Sequence, residues 1–599
     1  MKINKKYMVI VMIALLLIIS FSIKSKVYAE NEIKGKIADY TEEYKKWLEL
    51  PEQTRNKIIA PQRFNINQNV KQTNMPKLFK SNYISKYNLQ NIIPDNTIVR
   101  NQMQTNTCWA FSTIGVLEST LGLADYKNGN TVKKYNFSER HLEYSTSKIF
   151  LNNKINLFGF NRKIDTGGNS NIAFSYFTSG FGPVDETSMP FKNNKDLIEL
   201  GEIQNKKVTA KIIDTVDFPS IYDNSFTEKE EVKEQIKKHI MNHGGVYASI
   251  YGAQPYSEYY NNSTGAIFCD KLYADHAVLI IGWDDTYSVN NFNPNHKPQN
   301  SGAWIIKNSW GTDIGNNGIM YLSYEDANVY YSLAGIQNAT NKIDYDNIYQ
   351  YNELGYNIVA SVYVSGYCGS KIYLANDFSK KTEGKEYLTE IALYAPENYI
   401  CSVYVNANGT SKHKDFLTKV KLKDGETESF GTGYHTIEFA EPIEIKGNEF
   451  TIVVEIENGM NNEVYYCLET NEDEDADDIY KTATIETGKC YISMDGQYEY
   501  GVWRDLSDKS FLGFSSDSTI KAFTICEQNE QGNISKEGDV NGDNKVNSLD
   551  AVEILKYVAK KKMLTEKQLL LADTTKDDKV NSLDAVRILK FVAKKISKL

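Results

Sequence analysis

The spacing of apolar residues changes along the chain, and each change marks a segment. A continuous apolar run covers residues 7–23, after Lys2, Lys5 and Lys6 and ahead of Val27-Tyr28-Ala29. A positive end, an apolar middle and a small-residue cut site predict a secretory signal peptide over 1–29. The competing reading, an uncleaved anchor, needs about 20 apolar residues, so the run is at the short limit for a span. Residues 30–80 are polar, with one helical patch, "YTEEYKKWLELPEQTRNKIIAP". From 81 to 338 apolar runs of both periods mix with Gly-rich turns. "CWAFSTIGVLEST" predicts a helix beginning at Cys108, with Trp109, Phe111, Ile114 and Leu117 available for packing, and "YADHAVLIIGWDD" predicts a buried strand.

From about 345 to 527 the period becomes two. Ile437 and Phe439, then Phe450, Ile452, Val454 and Ile456, alternate with polar neighbours between Gly/Asn turns, which predicts antiparallel strands in a β-sandwich. Residues 528–537 form a polar linker. The tail repeats itself at an offset of 34 residues, and each copy ends in a helix. Ala551, Ile554, Leu555 and Val558 share one helical face, and Ala585, Ile588, Leu589 and Val592 share the other. The chain therefore reads as multidomain: a mixed α+β block, a β-sandwich and a small all-α tail.

At 599 residues the chain is too long for one core. A net charge of −10 with no basic stripe argues against nucleic acid as a partner. No segment after the signal reads as a membrane span. The seven cysteines are odd in number and sparse, so they do not form a disulfide scaffold, and at least one thiol is unpaired within the chain.

Cys108 is the thiol to test. Nucleophilic thiol chemistry needs a thiolate, a nearby imidazole and a group to orient the ring. A cysteine at a helix N-terminus feels the positive end of the dipole. Among the seven histidines only His276 lies in a run of buried-strand character, and Asn308 follows the apolar strand of "WIIKNSWG". Taken singly, these are a core cysteine, a core histidine and a turn former. In the order Gln102, Cys108, His276, Asn308, with Trp310 close behind, they resemble the papain-like cysteine peptidases. "NFSERHLEY" and "TGGNSNIAFSYF" match that family in order too, so the resemblance covers about 81–338.

The resemblance implies an α+β fold with a helical half and a β-barrel half, and no cofactor for catalysis. It implies Cys108 as nucleophile, His276 as its imidazolium partner and Asn308 as the group that fixes the ring, with Trp310 shielding that bond. Gln102 and the Cys108 backbone N–H would form the oxyanion hole. Gly168 would pair with an extended substrate, and Ala274 and Ala277 would line a substrate pocket. Residues 30–80 become an inhibitory prosegment. Two departures stand out: Thr105 occupies the place of the family's usual bridged cysteine, and Asn106-Thr107 replace a Gly-Ser pair, crowding the approach to the oxyanion hole. The alternative is an inactive relative, a peptidase fold serving as a binding or inhibitor protein.

The sandwich is similar to the lectin-like domain that follows some bacterial surface proteases. Structural support and binding of a glycan or wall polymer both remain open for it. The acidic run 471–478 reads as a solvated loop, with a cation site as the alternative. Each tail repeat opens with oxygen side chains spaced for calcium. The first set is Asp539, Asn541, Asp543, Lys545 through its carbonyl, Asn547 and Asp550. The second is Asp573, Thr575, Asp577, Lys579 through its carbonyl, Asn581 and Asp584. This pattern over 538–599 resembles a type I dockerin holding two Ca²⁺. Ser548, Leu549, Ser582 and Leu583 would touch a cohesin domain on a scaffold protein, assisted by Lys556 and Lys590. The expected whole is a secreted endopeptidase acting on proteins or peptides, held outside the cell or at its surface through that scaffold.

Overall fold

Residues 108–127 contain no proline, and their residues from Cys108 to Leu123 are all buried. A helix buried on every side must lie between two layers rather than on a surface. In the computed structural model it does so, packed by short helices Glu139–Ser145 and Ser170–Thr178 and against the strands His276–Asp284 and Leu333–Thr340. The structure describes residues 34–55, 63–64, 83–148, 159–192, 202–203, 206–221, 226–363, 371–458, 463–472, 479–493, 503–527, 537–541, 545–559, 561–562, 564, 566–577, 579–596 and 598–599. The signal segment, Asp543, Cys368 and most of the acidic run and linker lie outside the described residues.

Two compact units separate at Cys526. In the first, the β half is antiparallel in the order Lys211–Asp217, Leu333–Thr340, Val246–Ile250, His276–Asp284, Ala303–Lys307, Ile319–Ser323. The sheet does not stop there. Strand Lys211–Asp217 also pairs with Gly433–Glu444 of the sandwich, His435 opposite Asp214, so one sheet of thirteen strands among the described residues runs through both halves. The sandwich's second sheet centres on Lys371–Ser379 and Glu449–Glu457. Phe450, Ile452, Val454 and Ile456 enter the main core, as their alternation predicts. Val453 points the other way and is also fully buried, against Tyr373 and Ala375, because this strand is central rather than half-exposed.

The N-terminal segment joins the sandwich as well. Lys34–Ile37 pairs antiparallel with Ile358–Tyr363. Among the described residues no helix is long and apolar enough to cross a membrane.

In the second unit, helices Ser548–Val558 and Ser582–Val592 pack through Ala551, Ile554, Ala585 and Ile588. Each begins with the same capping box, Asn547 with Asp550 and Asn581 with Asp584, which satisfies N–H groups at both ends of the exchange.

The junction between the two halves of the first unit turns on Gly433. Its φ is +126°, and a Cβ there would meet the Thr215 carbonyl oxygen at 2.6 Å. Gly433→Ala is expected to destabilise the first unit by about 2 kcal/mol, read as a fall in its thermal midpoint. An unchanged midpoint would show that the junction does not constrain the fold.

Candidate active site

Cys108 is the first residue of its helix, and Thr107, the capping residue, makes no side-chain cap bond. The positive end of the dipole therefore faces a cleft of about 170 Å³ lined by Gln102, Asn106, Cys108, Gly168, His276 and Trp310, among others. His276 opens its strand opposite Ile250, and the Asp275 carboxylate beside it accepts the Gly252 N–H at 2.6 Å. Asn308 follows directly on strand Ala303–Lys307. Sheet register, not local sequence, brings His276 and Asn308 together, and the helix start delivers Cys108 to the same cleft.

His276 Nε2 donates to Asn308 Oδ1 at 2.8 Å. The Ser309 backbone N–H donates to the same oxygen at 2.7 Å. A backbone N–H can only donate, so the atom it meets must be the amide oxygen. That oxygen can only accept, so Nε2 carries the proton and Nδ1 keeps the lone pair. Trp310 stacks on the ring with centroids 4.6 Å apart, and His276 and Asn308 are 5% and 2% exposed. Water is kept from the bond that sets the tautomer.

Burial pushes the Cys108 thiol up to about 11, with nearby Asp275 adding to the rise. Burial also pushes the His276 imidazole down to about 4. Neither group ionises readily alone. Moving a proton from sulfur to Nδ1 would instead create two opposite charges at no net charge, a state that mutual attraction and the helix dipole would stabilise.

Gln102 is held from both ends. Ser309 Oγ donates to Gln102 Oε1 at 2.6 Å, and Gln102 Nε2 donates to the Thr105 carbonyl at 2.6 Å. A carbonyl accepts only, so the amide orientation is fixed and one N–H remains for the cleft. The Gln102 backbone N–H bonds the Ser309 carbonyl at 2.7 Å. Two residues earlier, half-buried Arg100 ion-pairs with Glu118 of the long helix and with Glu139 of the next one. The same loop is thus anchored to the strand that ends at Asn308 and to both helices.

The loop lacks a covalent bridge, since all six described cysteines are free. A polar clamp holds it instead. The Asn106 backbone N–H donates to Asp165 Oδ1 at 2.7 Å, and its side-chain Nδ2 donates to the Asp165 carbonyl at 2.9 Å. Asp165, at φ +59°, donates its own N–H to Glu143 Oε1 at 2.6 Å. Arg162 ties the neighbouring Thr166 carbonyl at 2.6 Å and lies 4.9 Å over the Trp109 ring. Asn106, expected only to crowd the approach, thus joins the loop of Cys108 to the loop that presents Gly168.

Gly168 lies against Trp109, and a Cβ there would meet the indole at 2.5 Å. Ala274 and Ala277 are buried at 7% and 1% and are not among the cleft-lining residues. Ala277 lines a separate void of about 10 Å³ with Ser112, Lys307 and Ser309. Gln254, Asp275 and Gly252 line the cleft, and no local periodicity marks them.

In the tail, Asp539 and Asp550 are 4% and 0% exposed. Asp550 Oδ1 accepts the N–H groups of Val540 and Asn541 at 2.9 and 3.0 Å, and its Oδ2 accepts that of Asn547 at 2.8 Å. Asp584 does the same for Thr575 and Asn581, at 2.9 and 2.8 Å. Asp577 N–H reaches Asp573 Oδ1 at 3.2 Å, which curls the second loop. Among the described residues no three acidic or imidazole groups converge. The donor set is nonetheless all hard oxygen, and buried carboxylates in one loop fit a hard cation such as calcium.

The clamp makes a direct prediction. Asn106→Ala is expected to lower kcat by about tenfold on a fluorogenic peptide, because loosening the loop that carries Gln102 disorders the cleft beside Cys108. Asn106→Asp, which sets a second carboxylate against Asp165, should lower it further. Unchanged rates in both would reduce the clamp to packing.

Three family models match consecutive segments: papain family cysteine protease over 93–340, lectin like domain over 348–524, and dockerin type I domain over 537–593. Cathepsin J of Mus musculus is 26% identical over 249 residues, 41% of this chain and 62% of that protein. Cathepsin L of Sarcophaga peregrina is 29% identical over 234 residues, 39% of this chain and 57% of that protein. The chain thus spans less than two thirds of these relatives. Among solved structures, the cysteine protease and lectin-like domains of Cwp84, a surface layer associated protein of Clostridium difficile, superpose with a TM-score of 0.64. That match is 23% identical and covers 82% of this chain and 98% of the other, which establishes a shared fold. Residues 93–340 therefore belong to the papain family of cysteine proteases, carried in one chain with a lectin like domain and a dockerin type I domain.

Proposed function

We propose that this chain is a secreted cysteine endopeptidase tethered through its tail to a cohesin-bearing scaffold. The observation that carries the reading is the His276 ring, locked by Asn308 in the tautomer a base requires, in the cleft that Cys108 lines. An extended peptide lies along Gly168, adding a strand through its backbone. The Cys108 thiol gives its proton to His276 Nδ1 and the sulfur attacks the scissile carbonyl. The oxygen of the tetrahedral intermediate, now negative, accepts from the Gln102 amide and the Cys108 backbone N–H. The carbon–nitrogen bond breaks as His276 returns the proton to the leaving amine. Water, deprotonated by the same ring, hydrolyses the thioester and restores the thiol. The chemistry uses no cofactor.

In the tail, Asp539, Asn541, Asp543, the Lys545 carbonyl, Asn547 and Asp550 would hold one calcium ion. Asp573, Thr575, Asp577, the Lys579 carbonyl, Asn581 and Asp584 would hold a second. The ions supply the counter-charge for the loop carboxylates. Leu549 and Leu583 are 59% and 62% exposed, and Val552, Val558, Val586 and Val592 extend each into an apolar stripe that is itself open to solvent. Two equivalent stripes, with Ser548 and Ser582 at their heads, suit a partner bound in either of two orientations. Tethering raises the local concentration of the protease near its substrates. Secretion follows from the N-terminal charge and apolar pattern.

Cys108→Ala is expected to abolish peptide hydrolysis, and Gln102→Ala to lower kcat by about 10²–10³. Full activity in Cys108→Ala would end the assignment. For the tail, chelating calcium should hasten tryptic cutting within 538–599 and leave 83–526 intact. Equal cutting with and without chelator would remove calcium from the account.

A further inference from the structure

The sandwich edge strand Ile358–Tyr363 is a hazard by composition. Ile358, Val359, Ala360 and Val362 are 3%, 1%, 0% and 4% exposed, and the strand has neither charge nor proline. In its sheet it would be the outermost strand but for Lys34–Ile37, and a bare apolar edge invites pairing with any extended chain. The N-terminal segment covers it in register, Lys34 opposite Tyr363 and Ile37 opposite Ala360, and Ala38 N–H continues the ladder to the Val359 carbonyl at 2.8 Å.

The fit is specific. A Cβ on Gly35 would meet Leu512 Cδ2 at 2.1 Å and Leu512 Cγ at 2.9 Å, so any side chain there must displace Leu512. Beyond the strand, Tyr40 stacks on Phe64 at 5.2 Å and Tyr44 on Trp47 at 5.4 Å. Thr41 N–H reaches the Arg63 carbonyl at 2.9 Å, closing the segment on itself. The Arg63 guanidinium then lies 5.3 Å from the Tyr44 ring and 5.8 Å from the ring of Tyr480, a sandwich residue. Every one of these contacts is made by residues 34–64, before the start of the protease at 93.

We propose that this edge is a built seat for the chain's own N-terminal segment, and that it retains residues 34–64 after the chain between the segment and the protease is cut. Cutting removes none of the contacts above; it removes only the tether, and with it the high effective concentration. The sandwich would then hold the prosegment beside the enzyme through a second, slower step of release.

The test does not use the protease's own activity. In the Cys108→Ala chain, a recognition site for a sequence-specific endoprotease is inserted between residues 70 and 75 and cut. The products are run on size exclusion at micromolar concentration, with the fragment quantified by mass spectrometry. The fragment should co-elute with the body. With Gly35→Leu, retention should fall by about tenfold or more, a weakening of about 1.4 kcal/mol. Arg63→Ala, which leaves the strand intact, should release the fragment faster than the parent does. An unaltered fragment that elutes alone, or retention in both variants equal to the parent's, would overturn the proposal. Either outcome leaves the catalytic reading untouched, since retention is read in an inactive chain.

Discussion

One amide oxygen sets the chemistry of this molecule. Asn308 Oδ1 accepts from His276 Nε2 and from the Ser309 backbone N–H. The backbone donor forbids the amide from flipping, and the amide forbids the ring from changing tautomer. A ring proton is thereby kept away from Nδ1, the nitrogen that takes one from sulfur in the proposed mechanism. The strands and the long helix of the protease domain serve that placement. The pairing of Ala303–Lys307 with His276–Asp284 puts the two residues at neighbouring strand ends. The buried helix brings Cys108 to the same cleft.

The second constraint is mechanical. The loop before Cys108 carries Gln102 and Asn106 between anchors on three sides: Ser309, Arg100 with its two glutamates, and Asp165. Where the family resemblance implies a bridged cysteine, this chain has Thr105, and the loop is held by the two-point Asn106–Asp165 clamp and the half-buried Arg100. Such a clamp is indifferent to reductants, which suits an enzyme whose nucleophile must itself stay reduced. It is sensitive instead to charge, because Asp165 and Glu143 already stand close together.

Much of this was legible in the sequence. The order of Gln102, Cys108, His276 and Asn308 pointed to one fold family, and that family dictates that they meet. The sandwich strands announced themselves by alternation, and the tail by repetition. What stayed hidden were pairings between distant segments. Asn106 and Asp165 are polar residues in separate loops, and nothing in their neighbours says they touch. The N-terminal strand is four residues with no period to detect, and its partner lies more than 300 residues on. The continuous sheet depends on Gly433 letting two backbones approach, a matter of tertiary fit. Ala274 and Ala277, placed by resemblance in a substrate pocket, are buried, and Ala277 faces a separate small void with Ser112, Lys307 and Ser309.

The central claim is that Cys108 and His276 ionise as a pair, since burial holds each neutral by itself. The most direct test is the rate of Cys108 alkylation by iodoacetamide across pH. Adding a proton to the net-neutral pair destroys the thiolate, and removing one leaves a thiolate beside a neutral ring. The account predicts a reactive plateau through neutral pH that falls only in acid, near or below about 4, with His276→Ala collapsing it to a single rise far into the alkaline range. A parent protein that itself showed only that alkaline rise would contradict the pairing and the mechanism built on it.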